Sequence, residues 1–189
     1  MSSATLTKHA SWTDRALENL PADGRKYELL DGQLIMSPVP ANHGAICVRL
    51  ILLIGAFVQR RNLGQVYDSS TGYRVSDDIL LSPDVSFVSK ARLKKIFRGP
   101  DKFLFGAPDL AVDVLSSSDT MQTIHRKLDL YFQYGTRLAW IVNWKLEQVH
   151  VYRPDRIEAL TQSSEVLSGD KVVRGLKCRL SEIFPKAPR

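Results

Sequence analysis

The chain is poor in cysteine. Its two cysteines, Cys47 and Cys178, are far apart and form no CxxC pair. Neither a disulfide framework nor a zinc knuckle can be read from them. Long apolar runs are also missing. The longest, Leu50 to Val58, is interrupted by Gly55 and is expected to be too short to cross a bilayer. The opening stretch, "MSSATLTKHASWTDRALENL", has no signal-peptide apolar core. A soluble, cytoplasmic protein with no membrane partner is therefore the expectation. There is no internal repeat and no low-complexity tract. No Walker A loop, GxGxxG or GxSxG occurs. His9, His125 and His150 make no metal-ligand pair.

What is present fits one ordinary domain. The 189 residues are 44% apolar and 24% charged, a globular composition. The net charge of +6 permits a nucleic-acid partner without demanding one.

The chain's punctuation gives an element order. "KYELLDGQLIMSP" carries two short extended runs about Asp31-Gly32, a hairpin signal. From His43 to about Arg61 the apolar residues Ile46, Leu50, Leu53, Ile54 and Phe57 recur at helical spacing. Asn62 and Gly64 stop that helix. "QVYDSSTGYRVSDDILLSPDVSFVSK" reads as three strands with turns between them. A basic segment, Lys90 to Lys102, follows and reads as a short helix and a loop. "DLAVDVLS" is apolar on both faces, which implies a central strand. Asp119 to about Tyr134 is a second helix, with Asp119 as cap, Gln122 as its capping-box partner and Gly135 beyond its end. "RLAWIVNW" and "EQVHVYR" are strands. The later strands are expected to extend the same sheet as antiparallel neighbours, before a short terminal helix. The expected architecture is a mixed α/β sheet flanked by helices.

Within this order, Asp113 stands out, because it interrupts the apolar run Leu110 to Leu115. A lone buried carboxylate there would cost several kcal/mol or be driven to protonate. Two explanations offer a partner: a buried lysine or arginine, or a metal. Asp84, after Pro83, ends another predicted turn and could reach the same point. Two convergent carboxylates repel and suit a hard cation such as Mg²⁺. Lys127 lies three residues after Ile124 and four before Tyr131, on the inward stripe of the second helix. It could fold back over the Asp113 strand, either as a salt bridge or as a charge facing a phosphate. His43 starts the first helix on its inward face, and Glu28 lies in the hairpin. Either could be a packing residue or a member of the cluster. Ser116 to Ser118 read as helix capping rather than as a nucleophile. The basic stretch Lys90 to Lys102, with Phe97, Phe103 and Phe105, reads either as a flap contacting phosphates or as a solvated face.

The ordered motifs "YELLDGQLIMSPVP..H", "SPDVSFVSK", "GAPDLAVDVLSSS", "RKLDLYFQYG" and "AWIVNW" resemble the Uma-two family of restriction-endonuclease-like proteins. That family lies within the PD-(D/E)XK nuclease superfamily, and the resemblance covers about Lys26 to Arg153. It implies a core of helix, three strands, helix and strand. Residues 26–185 would form that single domain, with residues 1–25 as an arm or short helix. The superfamily's metal acids match Asp84 and Asp113, aided by a backbone carbonyl at Val114. Its lysine, absent from the strand position Leu115, matches Lys127 on the following helix. The family's hairpin glutamate and helix-start histidine match Glu28 and His43. The implied activity is Mg²⁺-dependent hydrolysis of DNA phosphodiesters, with Mn²⁺ able to substitute and a homodimer suited to cutting both strands. The family commonly has glutamate where Asp113 stands and aspartate where Thr123 stands. Those departures motivate an alternative: a nucleic-acid-binding or regulatory module of the same fold.

Overall fold

The computed structural model describes residues 27–36, 40–100, 102–116 and 119–184. The arm expected over residues 1–25 lies outside the described residues, as do Ser117 and Ser118. The described chain begins with a hairpin of β1 (Tyr27–Leu30) and β2 (Gln33–Met36). Asp31 and Gly32 both adopt positive φ, 47° and 73°, as a two-residue hairpin turn of the primed type requires. Helix α1 (Ala41–Arg61) follows, then β3 (Gly64–Asp68), β4 (Tyr73–Ser76), β5 (Ile79–Leu81) and β6 (Val85–Ser89). Short helix α2 (Lys90–Ile96) and strand β7 (Leu104–Phe105) lead into β8 (Leu110–Val114). Helix α3 (Met121–Gln133) returns the chain to β9 (Leu138–Asn143). Strands β10 (Gln148–Tyr152), β11 (Ile157–Leu160), β12 (Val166–Ser168) and β13 (Lys177–Arg179) precede α4 (Leu180–Ile183).

Two main sheets result. The larger has the order β11-β10-β9-β8-β6-β3. Its β8 and β9 are parallel, joined through α3, while its other neighbouring strands pair antiparallel. This contains the expected helix, three strands, helix and strand as α1, β3, β6, β8, α3 and β9. The second sheet, β2-β1-β5-β4-β7, is built from the hairpin and an excursion between β3 and β6. Four strands therefore stand where three were read, and β4 and β5 leave the main sheet. Strands β12 and β13 form a separate pair rather than extending the main sheet as expected.

Burial explains the layers. All five residues of β8 are buried. Val112 and Val114 face α1, joining Ile46, Leu50, Ile54 and Val58 in one cluster with Val85, Phe87 and Trp140. Ala111 faces the opposite side, packing with Leu30, Tyr73, Leu81, Leu130 and Tyr131. Each fully buried Leu, Ile or Val contributes about 1.5–3 kcal/mol of transfer free energy. The apolar run Leu50 to Val58 lies within α1, which matches the helix expected from His43 to about Arg61. At 21 residues, α1 is long and apolar enough to cross a membrane by length and composition. Its inward stripe is taken up by the main sheet, while Val48 and Leu52 are exposed.

Helix α3 also starts differently. Its cap is Thr120, whose side chain accepts from the Thr123 N–H. Asp119 is instead held by the Ser116 N–H and hydroxyl, at 2.6 and 2.7 Å. Gly135 takes φ 97° just past the helix end, as expected. Arg92 of α2 secures that end, donating to the carbonyls of Ala107, Tyr134 and Gly135 at 2.7, 2.8 and 3.0 Å.

Candidate active site

The register between β6 and β8 places the two acids together. Val85 pairs with Val112, and Ser86 with Ala111. Continued by one residue, that antiparallel ladder sets Asp84 opposite Asp113. Asp84 lies where the chain crosses from β5 in one sheet to β6 in the other. Its Oδ2 accepts from the Val114 N–H at 2.8 Å. Asp113 shares the Ala111 face of β8, because side chains alternate along a strand. That face looks towards α3, which brings Lys127 inward on the stripe of Ile124, Leu128 and Tyr131.

Lys127 Nζ donates to Asp113 Oδ1 at 2.8 Å. It also lies 3.1 and 3.2 Å from the two carboxylate oxygens of Glu28. The hairpin thus enters the site through Glu28, whose Oε1 is fixed by the Ser82 N–H at 2.8 Å. All three side chains of this triad are nearly buried. Burial alone would pull the Lys127 ammonium down, but the Asp113 and Glu28 charges outweigh it. Its pKa is held well above the ordinary lysine value. Tyr131 stands beside the triad, its phenol pushed up by burial and then by the Asp113 charge.

On the other side of Asp84, His43 Nε2 lies 3.2 Å from Asp84 Oδ2. Its Nδ1 lies 3.5 Å from Cys47 Sγ, one helical turn further along α1. One neutral tautomer serves both contacts: Nε2–H donates to Asp84 and Nδ1 accepts from the thiol. The structure therefore gathers Glu28, His43, Asp84, Asp113 and Lys127 at one end of the main sheet. Cys47, Ser82 and Tyr131 join them and were not singled out in the sequence. Cys47 had a signal, four residues from His43 on the same helical stripe.

Among the described residues, one group brings three ligand atoms close enough to hold a metal: His43, Cys47 and Asp84, whose ligand atoms all lie within 4.8 Å of one another. Its nitrogen and sulfur favour a softer ion such as Zn²⁺. A second Pro-Asp dipeptide, Pro108-Asp109, stays out of the site. Asp109 sits at the far end of β8, about 13 Å of strand from Asp113. It accepts from the Ser89 N–H at 2.7 Å and from Arg137 at 3.0 Å.

The family model described as "Uma2: Putative restriction endonuclease" matches residues 14–181. The chain belongs to the Uma2 family. A solved structure from Anabaena variabilis ATCC 29413, titled a "putative nuclease belonging to DUF820", superimposes with a TM-score of 0.77. The two chains are 20% identical, and the match covers 91% of this chain and 97% of that one. At that identity the likeness speaks for the fold. No curated protein matches. Uma2 membership and the nuclease-like fold support a nuclease-like function.

Proposed function

We propose that this Uma2 protein is a divalent-metal-dependent DNA endonuclease, with Asp84 and Asp113 as metal ligands. The observation that carries the reading is the convergence of those two acids with Lys127 at adjoining strand ends. Mg²⁺ held by the pair would supply Lewis-acid stabilisation of the scissile phosphate and lower the pKa of attacking water. Lys127 keeps its proton at neutral pH, because two carboxylates hold its pKa up. It therefore acts as a fixed positive charge facing the phosphate rather than as a base. Glu28 positions that ammonium, anchored by the Ser82 N–H. His43 orients Asp84 through Nε2, and a carbonyl at Val114 is assigned as a further metal ligand. A homodimer would bring two such sites to the two strands of a duplex.

The test is cleavage of supercoiled plasmid with Mg²⁺ or Mn²⁺ by the wild type, Asp84→Ala and Lys127→Ala. Each substitution is expected to cut the rate by roughly 100-fold or more. Cleavage that survives both removes the residue assignment. One observation favours a second reading, a DNA-binding module without turnover. Lys127 already bridges Asp113 and Glu28, so those charges are partly answered by the protein itself. That reading expects salt-sensitive DNA binding, no metal-dependent nicking and no heat on titration with Mn²⁺.

A further inference from the structure

We propose that a cationic pocket walled by phenylalanines, beside the β5–β6 crossover, binds an unpaired nucleotide of a DNA strand. Its base would stack on Phe105, and its phosphate would meet Arg98 and Lys102. Strands β4 and β7 pair in parallel, with Tyr73 opposite Leu104 and Arg74 opposite Phe105. Alternation sends Tyr73 and Leu104 into the core, at 0% and 3% exposure. The same alternation turns Arg74 and Phe105 outward, into a cavity of about 700 Å³. Ligand sites commonly occupy about 300–1,000 Å³.

The pocket is built from flat faces and cations. The Arg74 guanidinium lies 5.3 Å from the Phe103 ring centroid and 5.4 Å from that of Phe105. Arg98 lies 5.6 Å from Phe105, and its guanidinium is fixed by the carbonyls of Lys95 and Phe97. Phe103 is seated by Gly72, where a Cβ would stand 2.7 Å from the ring. Phe97 and Phe105 remain 49% and 41% exposed. Among the described residues the pocket wall has no carboxylate. A small anion needs the cations but not the rings, and an apolar ligand needs the rings but not the cations. A nucleotide uses both, since every base has a face to stack and a phosphate to neutralise.

A short relay of contacts links the pocket rim to the acid cluster. Ser70 lines it, and the neighbouring Ser69 carbonyl accepts from the Ser82 hydroxyl at 2.6 Å. The Ser82 N–H in turn holds Glu28. The proposal rests on the nuclease reading for its substrate, a DNA strand with unpaired bases near the scissile phosphate.

Fluorescence anisotropy in EDTA tests it without requiring cleavage. The probes are a labelled twelve-nucleotide oligothymidylate and a duplex of the same length, with full-length wild type, Phe105→Ala and Phe105→Trp. Phe105→Ala should weaken single-strand binding about tenfold, the size of one lost base stack. Duplex binding should stay within about twofold, and Phe105→Trp should bind the single strand at least as well as wild type. Unfolding by Phe105→Ala would be seen in its circular dichroism, and Phe105→Trp against wild type then decides. Unchanged single-strand affinity in the folded Phe105→Ala variant, an equal loss on both probes, or weakened binding by Phe105→Trp overturns the proposal. Plasmid cleavage that persists beside any of those results leaves the nuclease reading standing. Stacking-dependent binding without any cleavage does the reverse.

Discussion

Replacing Lys127 by methionine isolates the charge at the centre of the site, because methionine nearly conserves the volume of the side chain. In the wild type the ammonium meets Asp113 at 2.8 Å and Glu28 at 3.1 Å, with every partner nearly buried. Removing it leaves two carboxylates facing a space that water barely reaches. Breaking a buried ion pair from one side costs about 3–5 kcal/mol. For a chain of this size each kcal/mol moves the melting temperature by about 2–4 °C. Lys127→Met should therefore melt about 6–20 °C below wild type in a thermal scan near neutral pH. In the wild type, the raised Lys127 pKa makes the ammonium's contribution complete below the ordinary lysine value and lost only at strongly alkaline pH. Adding Glu28→Gln should recover about 1–2 kcal/mol of the loss, because one of the stranded charges goes too. A Lys127→Met protein melting within about 2 °C of wild type, or strict additivity with Glu28→Gln, refutes the reasoning.

Asp84→Asn should keep the Val114 contact through its amide oxygen and so melt near wild type. Calorimetric Mn²⁺ binding should disappear, and binding with wild-type heat would remove Asp84 from the ligand set. Arg92→Ala leaves three carbonyls, those of Ala107, Tyr134 and Gly135, without their donor. A loss of about 2–4 kcal/mol is expected by urea denaturation, and a loss under about 0.5 kcal/mol would contradict the tie between α2 and the end of α3. The Cys178 thiol is pushed up to about 12 by burial and then by the Glu182 charge. The unfolded chain ionises this thiol first as pH rises, so between pH 9 and 11 it should cost the native state about 1 kcal/mol per pH unit. Urea melts of Cys178→Ala should lack that share of the alkaline slope, and parallel slopes would count against it.

Local chemistry made some of this legible from the sequence. Asp113 was conspicuous because β8 is apolar on both faces, and Lys127 because it interrupts the inward stripe of α3. Asp31-Gly32 marked the hairpin because few other pairs accept two positive φ values in succession. What failed depended on partners distant in sequence. Strands β4 and β5 look like any alternating strands, yet pairing with the hairpin through Leu29 and Leu80 assigns them to the second sheet. Two-residue β7 is held by its pairing with β4, beyond the reach of periodicity. Thr120 displaced Asp119 as the α3 cap because Ser116 already claims the aspartate. The two Pro-Asp dipeptides are alike in sequence. Position separates them, since Asp84 adjoins the Asp113 end of β8 and Asp109 stands at the opposite end.

The position of the lysine follows from the packing. Leu115 sits two residues beyond Asp113, where a strand lysine would point to the same face. Leu115 instead packs against the cluster of Ile124, Leu128 and Ala139, so a cation there would displace apolar contacts between β8 and α3. Approaching from α3, Lys127 reaches the carboxylate over that contact and meets Glu28 as well. Its neighbour Arg126 grips the hairpin turn through Asp31, at 2.6 and 2.8 Å. That outer pair is open to solvent, which screens it, so the buried Lys127 contact dominates. Two successive residues of α3 thus dock the hairpin, and the inner one delivers Glu28 to the acids. In this chain one lysine both holds the hairpin on the sheet and completes the charge at Asp113, which ties hairpin docking to assembly of the site.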